Sequence, residues 1–241
     1  MALAFRSPLS IVLINKSTVV TDMAVLKCAD ALNVQLNRDF SPYWGIDGTV
    51  FAAKVQPVGA LPCYILDNSD QANALGYHDN DPKLGPFGRV FAKTDQQLGL
   101  NWTVTASHEV LEMAADPFVF STVQVNNTTF TALEVCDAVE ADRDGYMTNG
   151  VWVSNFLTPA WFDVTLSRPF DFRNLLTRAF TLRRGGYMSV RVDGQGWTQR
   201  TAREIPGVTS RAWFAHRRIV KAIESDSVTT DEIDVEEQDD Q

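Results

Sequence analysis

Cysteine is scarce in this 241-residue chain: only Cys28, Cys63 and Cys136 occur, an odd number with no Cys-x-x-Cys pair. That excludes a disulfide framework and a cysteine-rich zinc site, and points to a reducing, cytoplasmic location. Long hydrophobic runs are also lacking. The run Ile11 to Ile14 is broken at once by Asn15 and Lys16, too short for a signal-peptide core, and no segment reaches the roughly 18 apolar residues of a membrane span. Asn-x-Ser/Thr triplets at Asn15, Asn101, Asn126 and Asn127 are therefore expected to stay unmodified. There is no Walker A sequence, no Gly-x-Gly-x-x-Gly after a strand and no Gly-x-Ser-x-Gly elbow, which leaves no visible cradle for a nucleotide and no serine triad. Ser107 beside His108 does not replace one, because neighbours on a helix point about 100° apart.

Basic residues number 21 against 30 acidic ones, but the excess sits in one place. Nine acids and no base lie between Glu224 and Asp240, so the remaining chain carries 21 of each sign. A neutral body argues against a nucleic-acid partner despite Arg183, Arg184, Arg211, Arg217 and Arg218, while the tail reads as a solvated, disordered terminus. Apolar residues at 45% suffice for a packed core at this length.

The apolar, β-branched run Ser10 to Asn15 predicts a strand buried on both faces. Thr21 or Asp22 caps a helix in which Met23, Val25, Leu26, Ala29, Leu32, Val34 and Leu36 recur at helical spacing. Thr49 to Val55 and Pro62 to Asp67 read as two further strands. A Gly/Asn/Asp/Pro-rich loop from Asn68 to Gly88 carries His78, and Arg89 to Lys93 alternates as a short strand whose charges suit a sheet edge. Asn101 caps a helix from Trp102 to Ala115, which Asp116-Pro117 stops. Beyond it, 131–139, 151–155, 187–192 and 196–200 read as extended or mixed, and 172–180 and 212–223 as helical.

The Trp102 to Ala115 helix carries the chemistry. His108-Glu109-Val110-Leu111-Glu112 is an HExxE pattern, and His108, Glu112, Thr105, Asp116 and Glu109 fall within one polar arc of about 100°. Ala106, Val110, Met113 and Ala114 make the opposite, apolar stripe, so the polar arc should face a cleft while the stripe packs on the sheet. A histidine and a carboxylate one turn apart can reach one metal ion, and the neighbouring Glu109 is placed to polarise a bound water.

With the elements before it, this helix resembles that of the zincin metallopeptidases. In those proteins a strand, a helix and further strands, one an edge strand that pairs with substrate, precede the helix bearing the metal ligands. More narrowly, His108-Glu109-x-x-Glu112-x-x-x-Asp116-Pro117 with Glu134-Val135-Cys136-Asp137 is similar to a zincin-like group of bacteria and their phages, in which an HExxE helix ends in Asp-Pro and a Glu-x-x-Asp follows. Leu75-Gly76-Tyr77-His78 and Val153-Ser154-Asn155-Phe156 also match, and the likeness covers about residues 10–163.

The resemblance implies an α/β (α+β) zincin-like domain over residues 8–165, with a mixed sheet, an edge strand, the N-terminal helix and the active-site helix. A small C-terminal module over 166–223 and an acidic tail over 224–241 would follow. It implies one divalent metal on His108 and Glu112, with Glu109 as general base. Glu112 stands where a second histidine is usual, so a third ligand is needed. Glu134 ranks first and Asp137 next, ahead of Asp116 and His78; three residues apart, Glu134 and Asp137 share a face only if helical. So oxygen-rich a set suits zinc but also tolerates manganese or calcium. Tyr77, His78 or Tyr146 would stabilise an oxyanion, and a peptide would lie along the strand from Arg89 to Lys93. The expectation is thus a metal-dependent peptidase. Its rival is a non-enzymatic structural or assembly protein, such as a phage virion component, that keeps the same shell and uses its C-terminal parts as oligomer or virion contacts.

Overall fold

The computed structural model describes residues 9–71 and 74–202. Five strands, β1 Leu9–Asn15, β2 Gly48–Ala52, β3 Leu61–Leu66, β4 Gly76–Asp81 and β5 Gly85–Phe91, form one mixed sheet in the order β2-β1-β3-β5-β4. The first three and β5 run parallel, and β4 pairs antiparallel to β5. The parallel β1 to β2 step is bridged by helix α1, Asp22–Val34, as a parallel pair requires. Thr21 Oγ1 accepts the Ala24 N–H at 3.2 Å and so caps α1. The helix then widens into a π-helical turn, Gln35–Phe40, before a short α2, Ser41–Trp44, closed by Gly45 in the left-handed region.

Alternation along the strands divides the sheet into two faces. Ile11 and Leu13 of β1, Cys63 and Ile65 of β3 and Val90 of β5 pack with Val25, Cys28, Ala29 and Leu32 of α1. They also meet Ala106, Val110 and Met113 of the long helix α4, Trp102–Ala115, which follows the short α3, Ala92–Gln97. The other face carries two smaller clusters, one around Val12 and Ile14 and one around Tyr77, Phe87 and Phe91. At roughly 1.5–3 kcal/mol for each large apolar side chain buried, the helix-covered face holds the larger share of the hydrophobic stabilisation.

A second sheet is antiparallel throughout, in the order β11-β10-β7-β6: β6 is Thr122–Gln124, β7 Thr129–Ala132, β10 Tyr187–Val192 and β11 Trp197–Thr201. Between them β8, Tyr146–Thr148, and β9, Val151–Val153, form a hairpin. Its loop is Asn149-Gly150, both at positive φ, the conformation that the tightest hairpin turns demand.

The mixed α/β class agrees with expectation, but four details change. The segment 68–88 is not one loop: it contains β4 and the start of β5. The edge strand is β4, because β5 is paired on both sides, to β3 and to β4, and Ala92 and Lys93 already belong to α3. Arg89 tolerates that interior strand by laying its guanidinium over the Tyr77 and Phe87 rings, 5.7 and 5.1 Å from their centroids, and pairing with Asp70. Residues 172–180 form turns rather than a helix. Finally, the expected boundary between 165 and 166 cuts through one packed body. Strand β10 pairs with β7, Asn155 donates to Asp171 at 2.7 Å, and Leu176 and Leu182 lie in the core shared by α1 and α4. The acidic tail, residues 203–223 of the expected C-terminal module, with the helix expected over 212–223, and His216 lie outside the described residues.

Candidate metal centre

Helix α4 occupies the bounds its punctuation predicts, Trp102–Ala115, with Asn101 as the extended N-cap residue and Asp116 leaving helical geometry before Pro117. Two glycines let the sheet approach it. A Cβ on Gly76 would lie 2.6 Å from Thr105 Cγ2 and 2.8 Å from Glu109 Oε1, and one on Gly88 would lie 2.7 Å from Met113 Sδ. On its other flank the helix is pinned by Gln35, which the π-helical turn turns inward. Ser107 Oγ donates to Gln35 Oε1 at 2.7 Å, and Gln35 Nε2 donates to the Ser154 carbonyl at 2.9 Å. The polar arc therefore does not open onto a cleft; residues 104–114 are buried all round, His108 and Glu109 at 5% exposure and Glu112 at 1%.

Three elements converge on this arc: α4, strand β4 through His78, and the turn that follows β7 through Glu134, Cys136 and Asp137. Glu112 is the hub. Its Oε2 lies 3.2 Å from His108 Nε2 and 3.5 Å from His78 Nδ1, while its Oε1 accepts the Cys136 N–H at 3.1 Å. Asp137 Oδ1 lies 3.2 Å from His108 Nε2, and Glu109 Oε2 lies 3.6 Å from His78 Nδ1. Among the described residues, two sets of donors each lie within 4.8 Å of one another: His108, Glu112 and Cys136, and His78, Glu112 and Glu134. The question of whether Glu134 and Asp137 share a face dissolves. They stand in a turn and at the start of a 3-10 turn, and both are buried toward the cluster.

The spacing of these donors is informative. A charge-assisted nitrogen to carboxylate hydrogen bond is about 2.7–2.9 Å long. Two ligands each about 2.1 Å from a metal, at tetrahedral or right angles, stand about 3.0–3.4 Å apart. The two 3.2 Å separations at His108 fall in the second range, and the 3.5 and 3.6 Å separations at His78 lie just beyond it. Asp137 Oδ1 accepts no hydrogen bond despite its nearness to His108 Nε2, and His108 Nδ1 has no hydrogen-bond partner either.

Electrostatics shows the strain of packing such groups together. Burial alone pulls the His78 imidazole down, yet the Glu109 and Glu112 carboxylates outweigh it and hold the group well above the usual histidine range. For His108, burial is likewise outweighed, by Glu112 and Asp137. Glu112 sits well below the ordinary range because the two histidines overcome its burial. Burial and the Glu112 charge push Glu134 well up and Asp137 to about 8, and burial raises the Cys136 thiol. Burying four carboxylates around two imidazoles costs several kcal/mol per uncompensated charge, a cost that a divalent cation removes.

His78, expected on an exposed loop, is a buried residue of β4 facing α4. Its neighbour Tyr77 points to the opposite face, where its hydroxyl donates to Asp70 at 3.1 Å, so it is no oxyanion partner here. Tyr146 stands apart as well: its hydroxyl donates to Asp39 Oδ2 at 2.9 Å and accepts from Gln35 Nε2 at 3.2 Å. Asp116 is used structurally, accepting the Ser121 N–H at 2.7 Å just past the helix end. Cys136 is the donor that sequence reasoning passed over; its place between Glu134 and Asp137 was the available signal. Comparisons with protein-family models, with curated proteins and with solved structures give no match, so the reading of this centre rests on its own geometry.

Proposed function

We propose that the chain is a metal-dependent hydrolase of the zincin type, acting on peptide bonds, with His108, Glu112 and Asp137 holding one divalent cation and Glu109 serving as general base. The observation that carries this reading is that His108 Nε2 lies 3.2 Å from both Glu112 Oε2 and Asp137 Oδ1, with Glu109 beside the histidine on the same helix. The antiparallel edge strand β4, ahead of β5 and α4 in the chain, supports the zincin comparison, since among the described residues no strand pairs with its outer edge beside the centre. The mixed donor set of nitrogen, carboxylate and a neighbouring thiol fits zinc best.

A bound cation would supply Lewis acidity toward the scissile carbonyl and a water. The residues do the rest. Glu109 accepts a proton from the attacking water and returns it to the leaving amine. His78, with Nδ1 facing Glu109 and Glu112, is the one of the three oxyanion candidates that stands at the centre. Cys136 N–H fixes the Glu112 carboxylate in its liganding orientation.

A second reading has its own observation: no donor exceeds 5% exposure, which favours a sealed centre in a non-catalytic structural or assembly protein. Purified protein decides between them. The hydrolase reading expects stoichiometric metal that His108→Ala removes. It also expects peptide cleavage that Glu109→Gln lowers by about 10²–10⁴-fold with metal retained. Metal without cleavage of any peptide in a random library would select the sealed centre.

A further inference from the structure

We propose that this centre holds two divalent cations rather than one, bridged by the Glu112 carboxylate, with a second site formed by His78, Glu112 and Glu134. The inference rests on the metal reading of the first site and adds to it. Its ground is that the two histidines do not belong to one set of donors. His108 converges with Glu112 and Cys136, and His78 with Glu112 and Glu134; only Glu112 is common to both groups. His108 Nε2 and His78 Nδ1 nevertheless approach the same oxygen, Glu112 Oε2, at 3.2 and 3.5 Å. One cation placed for His108 and Asp137 leaves His78 and Glu134 unused, whereas one on each side of Glu112 uses every donor. Paired-metal sites of this kind hold their ions about 3.5–4 Å apart across shared carboxylates.

Charge leads to the same number. Glu109, Glu112, Glu134 and Asp137 are all buried around the two histidines. Ionised, they carry four negative charges, which two divalent cations neutralise and one only halves. The buried histidines would then remain neutral ligands, their normal state on a metal. The donors also differ in character. The first group includes the Cys136 sulfur and suits zinc, whereas the second offers one nitrogen and carboxylate oxygens and accepts manganese as readily.

The test is a titration of the metal-free full chain with zinc, and separately with manganese, counting bound ions per chain. The proposal expects two zinc ions, falling to one in His78→Ala and to one in His108→Ala, and to at most one in Glu112→Gln. Should His78→Ala not fold, the near-isosteric Glu134→Gln reads the same site and is likewise expected to leave one. Manganese is expected to fill the His78 side first and, once both sides are filled, to give the exchange-coupled electron paramagnetic resonance spectrum of a bridged pair. One ion in the wild type, unchanged by His78→Ala or Glu134→Gln, overturns the second site and leaves the first standing. No bound ion overturns both.

Discussion

At the scale of single residues, Glu112 and Asp67 show how one carboxylate can fix a local structure in two ways. Glu112 does so buried, between two histidines and a backbone N–H. Asp67, just past β3, does so at the surface. It accepts Ser17 Oγ at 2.5 Å, the Thr18 N–H at 2.7 Å and Thr18 Oγ1 at 2.5 Å, and so closes the turn after β1. These hydrogen bonds from Ser17 and Thr18 lower its pKa from 3.8 to about 2. A depressed folded-state value means the stabilisation is present above pH 3.8 and is lost as pH falls through about 2. Asp67→Asn should therefore melt lower than wild type near neutrality, with the gap shrinking between those two values; a gap constant down to the lower one would contradict it.

The site residues were legible unevenly at this scale. His108, Glu109 and Glu112 could be read because a helical repeat places them on one arc without knowledge of any other element. His78 could be named as a candidate but not placed on a buried strand, and Cys136 was not named, because a strand, a helix and a turn far apart in the chain bring them together. Tyr146 was misplaced for a related reason: a tyrosine near candidate ligands in sequence gives no hint that Asp39 and Gln35 already bind its hydroxyl.

At the scale of elements, β4 is the piece that completes the centre and the piece hardest to foresee. Gly76-Tyr77-His78-Asp79-Asn80-Asp81 is rich in turn formers and poor in β-branched residues. Six paired positions along β5 impose the strand instead. By contrast, α1 carried a capping threonine, α4 a proline stop and β1 a continuous apolar run, so those three could be read locally, although Asn101 stands at the N-cap position of α4 without a side-chain cap hydrogen bond and donates to Asp142 Oδ2 at 2.9 Å. Close approach of β4 to α4 depends on Gly76, whose absent Cβ leaves room for Thr105 and Glu109. Gly76→Ala should destabilise by about 1–3 kcal/mol, seen as a lower denaturant midpoint with unchanged slope. A neutral result would mean that β4 stands farther from α4 than described.

At the scale of the whole molecule, both sheets and the helices share one core, and the candidate metal centre lies where β4, α4 and the turn after β7 meet. Among the described residues no helix is long and apolar enough to cross a membrane. A cation at such a junction links elements far apart in sequence and should stabilise the entire fold. Binding at a hundred times the dissociation constant contributes about 2.7 kcal/mol. For a body of this size that corresponds to roughly 5–10 °C in Tm. Chelation should lower the melting temperature by that order, and zinc should restore it; His108→Ala should melt low with or without zinc. A melting curve indifferent to chelator would leave the buried carboxylates without their compensating charge.

The central claim, that these side chains exist to hold metal, is tested most directly by anomalous diffraction at the zinc edge from crystals of the intact chain grown with zinc. The account predicts an anomalous peak about 2.0–2.3 Å from His108 Nε2 and from carboxylate oxygens of Glu112 and Asp137. Well-ordered side chains at 108, 112 and 137 with no peak between them would contradict it.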